Sequence, residues 1–187
     1  MSAKLRRLLY RSNNIHSLIA GFSTPRASSK LNDYDNEFAP EKAIDGKISE
    51  EHLNFFHSKK EDNPWLEVSM PEGLISGVEI VTRYGCCADR VRDLEFRAGL
   101  NTVPSNYKGK LTVNSKVATF AGPADKNHET YIINFERKVR AKYVTIQRMG
   151  YGVSLEINEI RMIMMEGIHS TVIGAKLSPI QSKLNLD

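Results

Sequence analysis

The chain reads as an all-β domain of the sandwich or barrel kind. Three observations carry that reading. From residue 60 onward, short runs rich in β-branched and aromatic residues alternate apolar with polar at period two. Turn-forming groups separate them at intervals near ten residues: Pro71-Glu72-Gly73, Asn101 to Gly109, Gly122-Pro123 and Gly150 to Gly152. The 187 residues fit one domain with tails and leave no room for two full ones.

The strands follow in order. PWLEVSM (64–70) sets Trp65, Glu67 and Ser69 opposite Leu66, Val68 and Met70. LISGVEIVTR (74–83) puts Val78 and Ile80 on one face and Glu79 and Val81 on the other. DLEFRAG (93–99) turns Leu94, Phe96 and Ala98 inward against Glu95 and Arg97. TYIINF (130–135) is a near-continuous apolar strand. AKYVTIQRM (141–149) alternates Tyr143, Thr145 and Gln147 with Val144, Ile146 and Arg148. LEINEIRMIM (155–164) places Leu155, Ile157, Glu159 and Arg161 on one face. Glu159 and Arg161 fall where that apolar pattern lapses, and a polar residue in an inward register needs a metal or an ion pair. The lone Trp65 is expected in the core. Residues 31–63 read as one long loop, the kind that carries binding sites in compact domains. Residues 166–187 read as a polar extension with one added strand at Thr171–Ile173 as an option.

Charge is unevenly divided. Residues 1–32 hold six basic side chains and no acid, whereas the whole chain is +4, so residues 33–187 sum to −2. The basic balance belongs to the N-terminal tail, not the body, which removes the usual argument for nucleic acid. The start, with Leu5, Leu8 and Leu9 on one helical face and Arg6, Arg7 and Arg11 largely off it, has the composition of a mitochondrial transit peptide. The plainer reading is a basic disordered tail, or the edge of a fragment cut from a longer secreted chain. No run approaches the roughly 20 apolar residues of a membrane span. The expected organisation is a basic tail over 1–16, a domain over 17–165 and an extension over 166–187.

The two cysteines are adjacent, Cys86-Cys87. By themselves they are buried small residues or a rare vicinal disulfide. Their context is Arg83-Tyr84-Gly85-Cys86-Cys87-Ala88-Asp89-Arg90, with His57 upstream of a Pro-Trp strand. One imidazole and two guanidinium groups are fixed hydrogen-bond donors, and an apolar or sulfur wall beside them suits the C–H face of a monosaccharide. Taken singly, each arginine is a solvated surface charge and His57 a loop residue.

Five stretches, KAIDGK (42–47), HSKKEDNPWLEVSM (57–70), ISGVEIVTRYGCCADRVRDLEFRAG (75–99), AKYVTIQRMG (141–150) and SLEINEIRM (154–162), together resemble the coagulation factor V/VIII type C (discoidin) domains. Within them the resemblance is to the fucolectin (F-type lectin) branch. It implies an eight-stranded jelly-roll β-sandwich like the galactose-binding domains. It implies a fucose-type sugar site of His57, Arg83 and Arg90, with Cys86 and Cys87 joined as a disulfide against the sugar ring. This chain has Gly85 where the family has an Asp that helps hold the arginines. The resemblance also implies a structural Ca2+ held around Asp45 and Glu159, with Lys42, Lys47, Asn54 and Asn158 supplying main-chain or side-chain oxygen. The plainer reading of those residues is that Asp45 caps a turn with Gly46 and Glu159 pairs with Arg161.

The expected function is therefore a calcium-stabilised carbohydrate-binding module with a fucosylated glycan as partner. The alternative is a protein-interaction or scaffold domain that keeps the sandwich without the sugar; homo-oligomerisation stays open. A phospholipid-binding domain would need exposed apolar loop tips, for which Phe55-Phe56 is the obvious candidate. An enzyme is not expected: no nucleophile–base pairing, Gly-rich phosphate loop or His/Cys cluster at ligand spacing occurs, and the five histidines are scattered. The resemblance implies an extracellular protein; the basic N-terminus leaves an intracellular, mitochondrial one as the alternative.

Overall fold

The computed structural model describes residues 16–19, 24–32, 36–48 and 54–165. Among these residues nine strands run in chain order: β1 His16–Ile19, β2 Thr24–Ala27, β3 Phe56–His57, β4 Trp65–Val81, β5 Leu94–Gly99, β6 Ser115–Phe120, β7 Thr130–Arg148, β8 Glu156–Ile157 and β9 Glu159–Met165. Two short 3-10 turns, Pro40–Ala43 and Ala88–Arg90, are the only helical pieces among the described residues. The added strand considered at Thr171–Ile173 and the helical face at Leu5–Leu9 lie outside the described residues.

β4 and β7 build the sandwich because each runs through both of its layers. They pair antiparallel from Trp65↔Gln147 to Val81↔Thr130, with register shifts between Ser69 and Gly73 and between Ile75 and Gly77. The first part of β4 also pairs with β2, and the matching end of β7 pairs with β5, which carries β6. Beyond the shifts β4 pairs instead with β9, which carries β1. Irregularities of this kind bend a strand and raise its twist, which is how one strand serves two layers. Gly77 sits at the second shift, where a Cβ would come within 2.6 Å of the Ile133 carbonyl oxygen.

Continuity of these strands differs from the expected pattern. The 64–70 and 74–83 segments are one strand across Pro71-Glu72-Gly73, and 130–135 and 141–148 are also one strand. The 31–63 loop and the last segment contribute, in addition, the small β3–β8 pair. Leu66, Val68, Leu94, Phe96, Val144 and Ile146 from one layer share a single core with Ile75, Val78, Ile80, Ile133, Ile160 and Met162 from the other. Of the TYIINF run only part turns inward: Ile133 and Phe135 are buried, whereas Ile132 is 59% exposed.

Trp65 is buried as expected, but on the opposite face from that core. It packs with Val103 and Leu111 beneath the long 100–114 connection. Two buried polar side chains of the same face tie that connection down. Glu67 accepts from the Val103 N–H and the Thr102 hydroxyl, both at 2.7 Å. Gln147 accepts from the Leu111 N–H at 2.8 Å and donates to the carbonyls of Asn63 and Gly109 at 2.7 and 2.9 Å. Buried polar groups satisfied in this way fix a loop in place of a strand pairing.

The register of the last segment needs correction. Leu155 and Ile157 join the core, but so do Ile160, Met162 and Met164. The alternation slips by one at Asn158, whose N–H donates to the Val81 carbonyl at 3.0 Å as the chain passes from β8 to β9. Glu159 and Arg161 therefore do not continue the Leu155–Ile157 face. Phe55 and Phe56 are 2% and 0% exposed, so they form no membrane-facing tip. No described helix is long and apolar enough to cross a membrane.

Candidate functional site

The β3–β8 pair brings His57 directly opposite Glu156. Phe55 and Phe38 pack on the imidazole, with ring centroids 5.9 and 5.7 Å away. His57 Nδ1 lies 2.6 Å from the Ser58 carbonyl and Nε2 lies 3.1 Å from Glu156 Oε1. Both are acceptors, so both contacts are hydrogen bonds only when the ring carries two protons. Arg83 leaves the end of β4 with its guanidinium carbon 4.3 Å from the Phe55 ring centroid, a cation–π geometry. Its Nη1 donates to Glu156 Oε2 at 2.9 Å. Arg90, at the end of the second 3-10 turn, donates from Nη1 to Glu156 Oε1 at 2.8 Å. The Ser154 hydroxyl adds a fourth donor at 3.3 Å.

Glu156 is thus a buried anion around which the imidazole and the two predicted arginines gather. Burial alone would push its carboxyl upward. The hydrogen bonds from His57 and Arg90, the His57 charge and the Arg83 bond outweigh burial and hold it down at about 2. Arg90 is in turn raised, first by its hydrogen bond to Glu156 and then by that residue's charge.

Sequence reasoning missed Glu156. A single alternation over Leu155–Met164 places Glu156 on the outward face. The signal that could have found it was the concentration of donors at His57, Arg83 and Arg90, which calls for one acceptor near all three. Gly85, which has no side chain to hold an arginine, sits at φ +85° between them.

Beside these groups lies a cavity of about 530 Å³ whose lining includes Leu31, His57, Lys59, Arg90, Arg148 and Val153. Arg148 enters from the end of β7 and donates from Nη1 to the Ser154 carbonyl at 2.6 Å. Burial lowers its pKa; Asp93 and Glu156 oppose that, and Arg92 and Arg90 add to it. Cys86 and Cys87 form a vicinal disulfide, with Cys86 exposed and Cys87 half-buried, and neither is among the residues lining this cavity.

The second predicted cluster lies where the 3-10 turn Pro40–Ala43 runs on toward β9. Glu159 is fully buried and accepts from the Gly46 N–H at 3.2 Å through Oε2. Its Oε1 is buried with no hydrogen-bond partner, as is the side-chain oxygen of the neighbouring Asn158. Burial pushes the Glu159 carboxyl up to about 8, against the Arg161 charge; Asp45 pushes the same way and the Gly46 N–H opposes it. Asp45 accepts from the Lys47 N–H at 2.9 Å, which is the turn cap. Arg161 Nε stands 3.8 Å from Glu159 Oε1, and Nη1 lies 3.4 Å from Glu79. Asn54 is buried, its carbonyl accepting from Asn158 Nδ2 at 2.9 Å. Lys42 is half-buried and Lys47 exposed. Among the described residues no group of three or more His, Cys, Asp or Glu side chains could hold a metal.

The sequence matches the F5/8 type C domain over residues 25–162. The chain belongs to that family. Its fold recurs in solved structures. A fucolectin from striped bass (Morone saxatilis) serum aligns with a TM-score of 0.63 at 21% identity, over 76% of this chain and 47% of that one, so this chain spans about half of it. The lectin binding domain of lectinolysin, as a mutant complexed with Lewis b, aligns at 0.61 and 20% identity, over 84% of this chain and 99% of that one. A Streptococcus pneumoniae fucose binding module aligns at 0.59 and 18%, over 83% and 99%. No curated protein matches the sequence. As an F5/8 type C domain, this is a non-catalytic module rather than an enzyme.

Proposed function

We propose that this F5/8 type C domain is a carbohydrate-binding module that takes a fucose-type sugar at His57, Arg83 and Arg90. The observation that carries the reading is the gathering of those three donors within 3.1 Å of one buried carboxylate beside an open cavity. Glu156 takes up one N–H of each guanidinium; Arg90, half exposed at the cavity, keeps its other N–H groups for hydroxyl oxygens, and the Leu31–Val153 wall offers apolar surface for a C–H face. The fucolectin and the fucose binding module among the similar folds support the same class. They also support an extracellular setting. Titration calorimetry with L-fucose tests the reading: the intact protein binds, and Arg83→Ala or Arg90→Ala abolishes binding. A glycan array with no bound sugar, together with a stoichiometric protein partner indifferent to free sugar, would move the assignment to a protein-interaction domain.

The proposal includes a structural Ca2+ near Glu159. Two buried side-chain oxygens without a hydrogen-bond partner, those of Asn158 and Glu159, fit a hard oxygen-seeking cation. Asp45 supplies the second carboxylate; Lys42, Lys47 and Asn54 would contribute main-chain oxygen, if the Asn158 amide releases the Asn54 carbonyl. When bound, the ion neutralises the two carboxylates and ties the 40–48 segment to β9.

A further inference from the structure

Between Arg148 and Ser154 the chain makes a turn held from several directions. Gly150 and Gly152 have φ of +140° and +60°, conformations open to glycine. Asn63 Oδ1 accepts the Gly150 N–H at 3.1 Å, and Asp62 Oδ1 accepts the Gly152 N–H at 2.9 Å. The Asn63 N–H donates to the Gly150 carbonyl at 2.9 Å, and Glu61 and Val153 exchange both backbone bonds at 3.0 Å. Tyr151, between the two glycines, is 86% exposed. A firmly stitched turn therefore presents a large aromatic ring to solvent, where its burial earns nothing for the fold.

The neighbours of that turn give the ring a use. Gly152, Val153 and Ser154 line the cavity beside His57 and Arg90. Tyr151 lines a different cavity, also of about 530 Å³, with Glu61, Asp62, Asn63, Lys108 and Lys110. Consecutive residues of one turn thus border two cavities. The second is lined by two carboxylates, two ammonium groups and the amide-bearing Asn63. That mixture of acceptors and donors suits a neutral polyhydroxyl ligand better than an ion of either sign. An exposed aromatic face beside it supplies the apolar contact that a pyranose ring needs.

We infer that Tyr151 is the platform of a second monosaccharide subsite, so that the domain binds an oligosaccharide across the 150–152 turn. The terminal sugar sits at His57, Arg83 and Arg90, and the following residue lies on the Tyr151 ring. This rests on the carbohydrate-binding reading of the first site.

Calorimetry separates the two claims. L-fucose and a panel of fucose-terminated trisaccharides of differing linkage are titrated into the wild-type chain, Tyr151→Ala and Tyr151→Phe. The expected result is a trisaccharide that binds wild type about tenfold more tightly than L-fucose, near the upper end of what an aromatic face contributes. Tyr151→Ala loses that gain and keeps its L-fucose affinity within about twofold; Tyr151→Phe retains both. The subsite is overturned if no trisaccharide exceeds L-fucose, if the gain survives in Tyr151→Ala, or if that variant weakens both ligands equally. No binding of any probe by the wild-type chain would instead remove the first site, and the subsite with it.

Discussion

Replacing Glu156 by glutamine removes the charge at the centre of the site while nearly preserving its shape. The carboxyl is held at about 2 against an ordinary value of 4.5, because three donors outweigh the cost of burying it. That difference corresponds to about 3 kcal/mol of folding stability. Removing one partner from a buried charge cluster costs a similar amount, about 3–5 kcal/mol. The sign follows from the depressed value. The contribution is complete above the unfolded-state value near 4.5 and is lost as pH falls from there toward 2. Urea unfolding of wild type and Glu156→Gln at a series of pH values reads this directly. At pH 7 the variant is less stable by about 3 kcal/mol, and the gap narrows steadily below about pH 4.5. In the same variant L-fucose affinity falls by at least tenfold, since a neutral amide no longer orients Arg83 and Arg90. A gap below about 1 kcal/mol at pH 7, or one that does not change with pH, would refute the view of Glu156 as the organising anion.

Three further outcomes follow. Arg90→Ala, whose side chain is 47% exposed, abolishes L-fucose binding while thermal stability stays within a few degrees, whereas Arg83→Ala, stacked on Phe55, lowers both; calorimetry and melting curves read the pair. Ca2+ at a hundredfold excess over its dissociation constant stabilises the fold by about 2.7 kcal/mol, read as a higher melting temperature, and Glu159→Gln abolishes the rise without removing the fold. Gly77→Ala brings a methyl into the Ile133 carbonyl where β4 shifts register and costs about 1–3 kcal/mol in urea unfolding.

Local alternation carried most of the strand inventory because period two survives wherever one face is buried. Leu94, Phe96 and Ala98 turn inward as the pattern implies. It failed where tertiary geometry overrides a local count. Pro71-Glu72-Gly73 looks like a turn, yet β4 continues through it on β7, as nothing in the segment alone could reveal. At Asn158 the chain changes strand partners, so a single alternation cannot describe both sides. That same change hid Glu156, and it misassigned Glu159 and Arg161. His57, Arg83 and Arg90 were legible because their residue types share one chemistry at family spacing. The residue that joins them was not, because a buried carboxylate in a two-residue strand has no local signature.

The site answers a conflict between rigidity and access. A sugar is recognised by donors that already point correctly, since ordering a long side chain on binding costs about 0.5–1.5 kcal/mol. Donors fixed by burial would be out of reach. Here the anion is buried, with 1% of the Glu156 side chain exposed, and the donors radiate from it, His57 and Arg83 mostly covered and Arg90 half open. Each guanidinium is anchored through one nitrogen, and Arg90 keeps the rest of its planar fork open at the cavity. The anchor comes from β8, the imidazole from β3 and the arginines from either end of the 83–90 loop, so closing the sandwich is what assembles the donors. On the proposed function, folding and ligand recognition draw on the same carboxylate, and a change that weakens one at Glu156 weakens the other, whereas a change confined to Arg90 separates them.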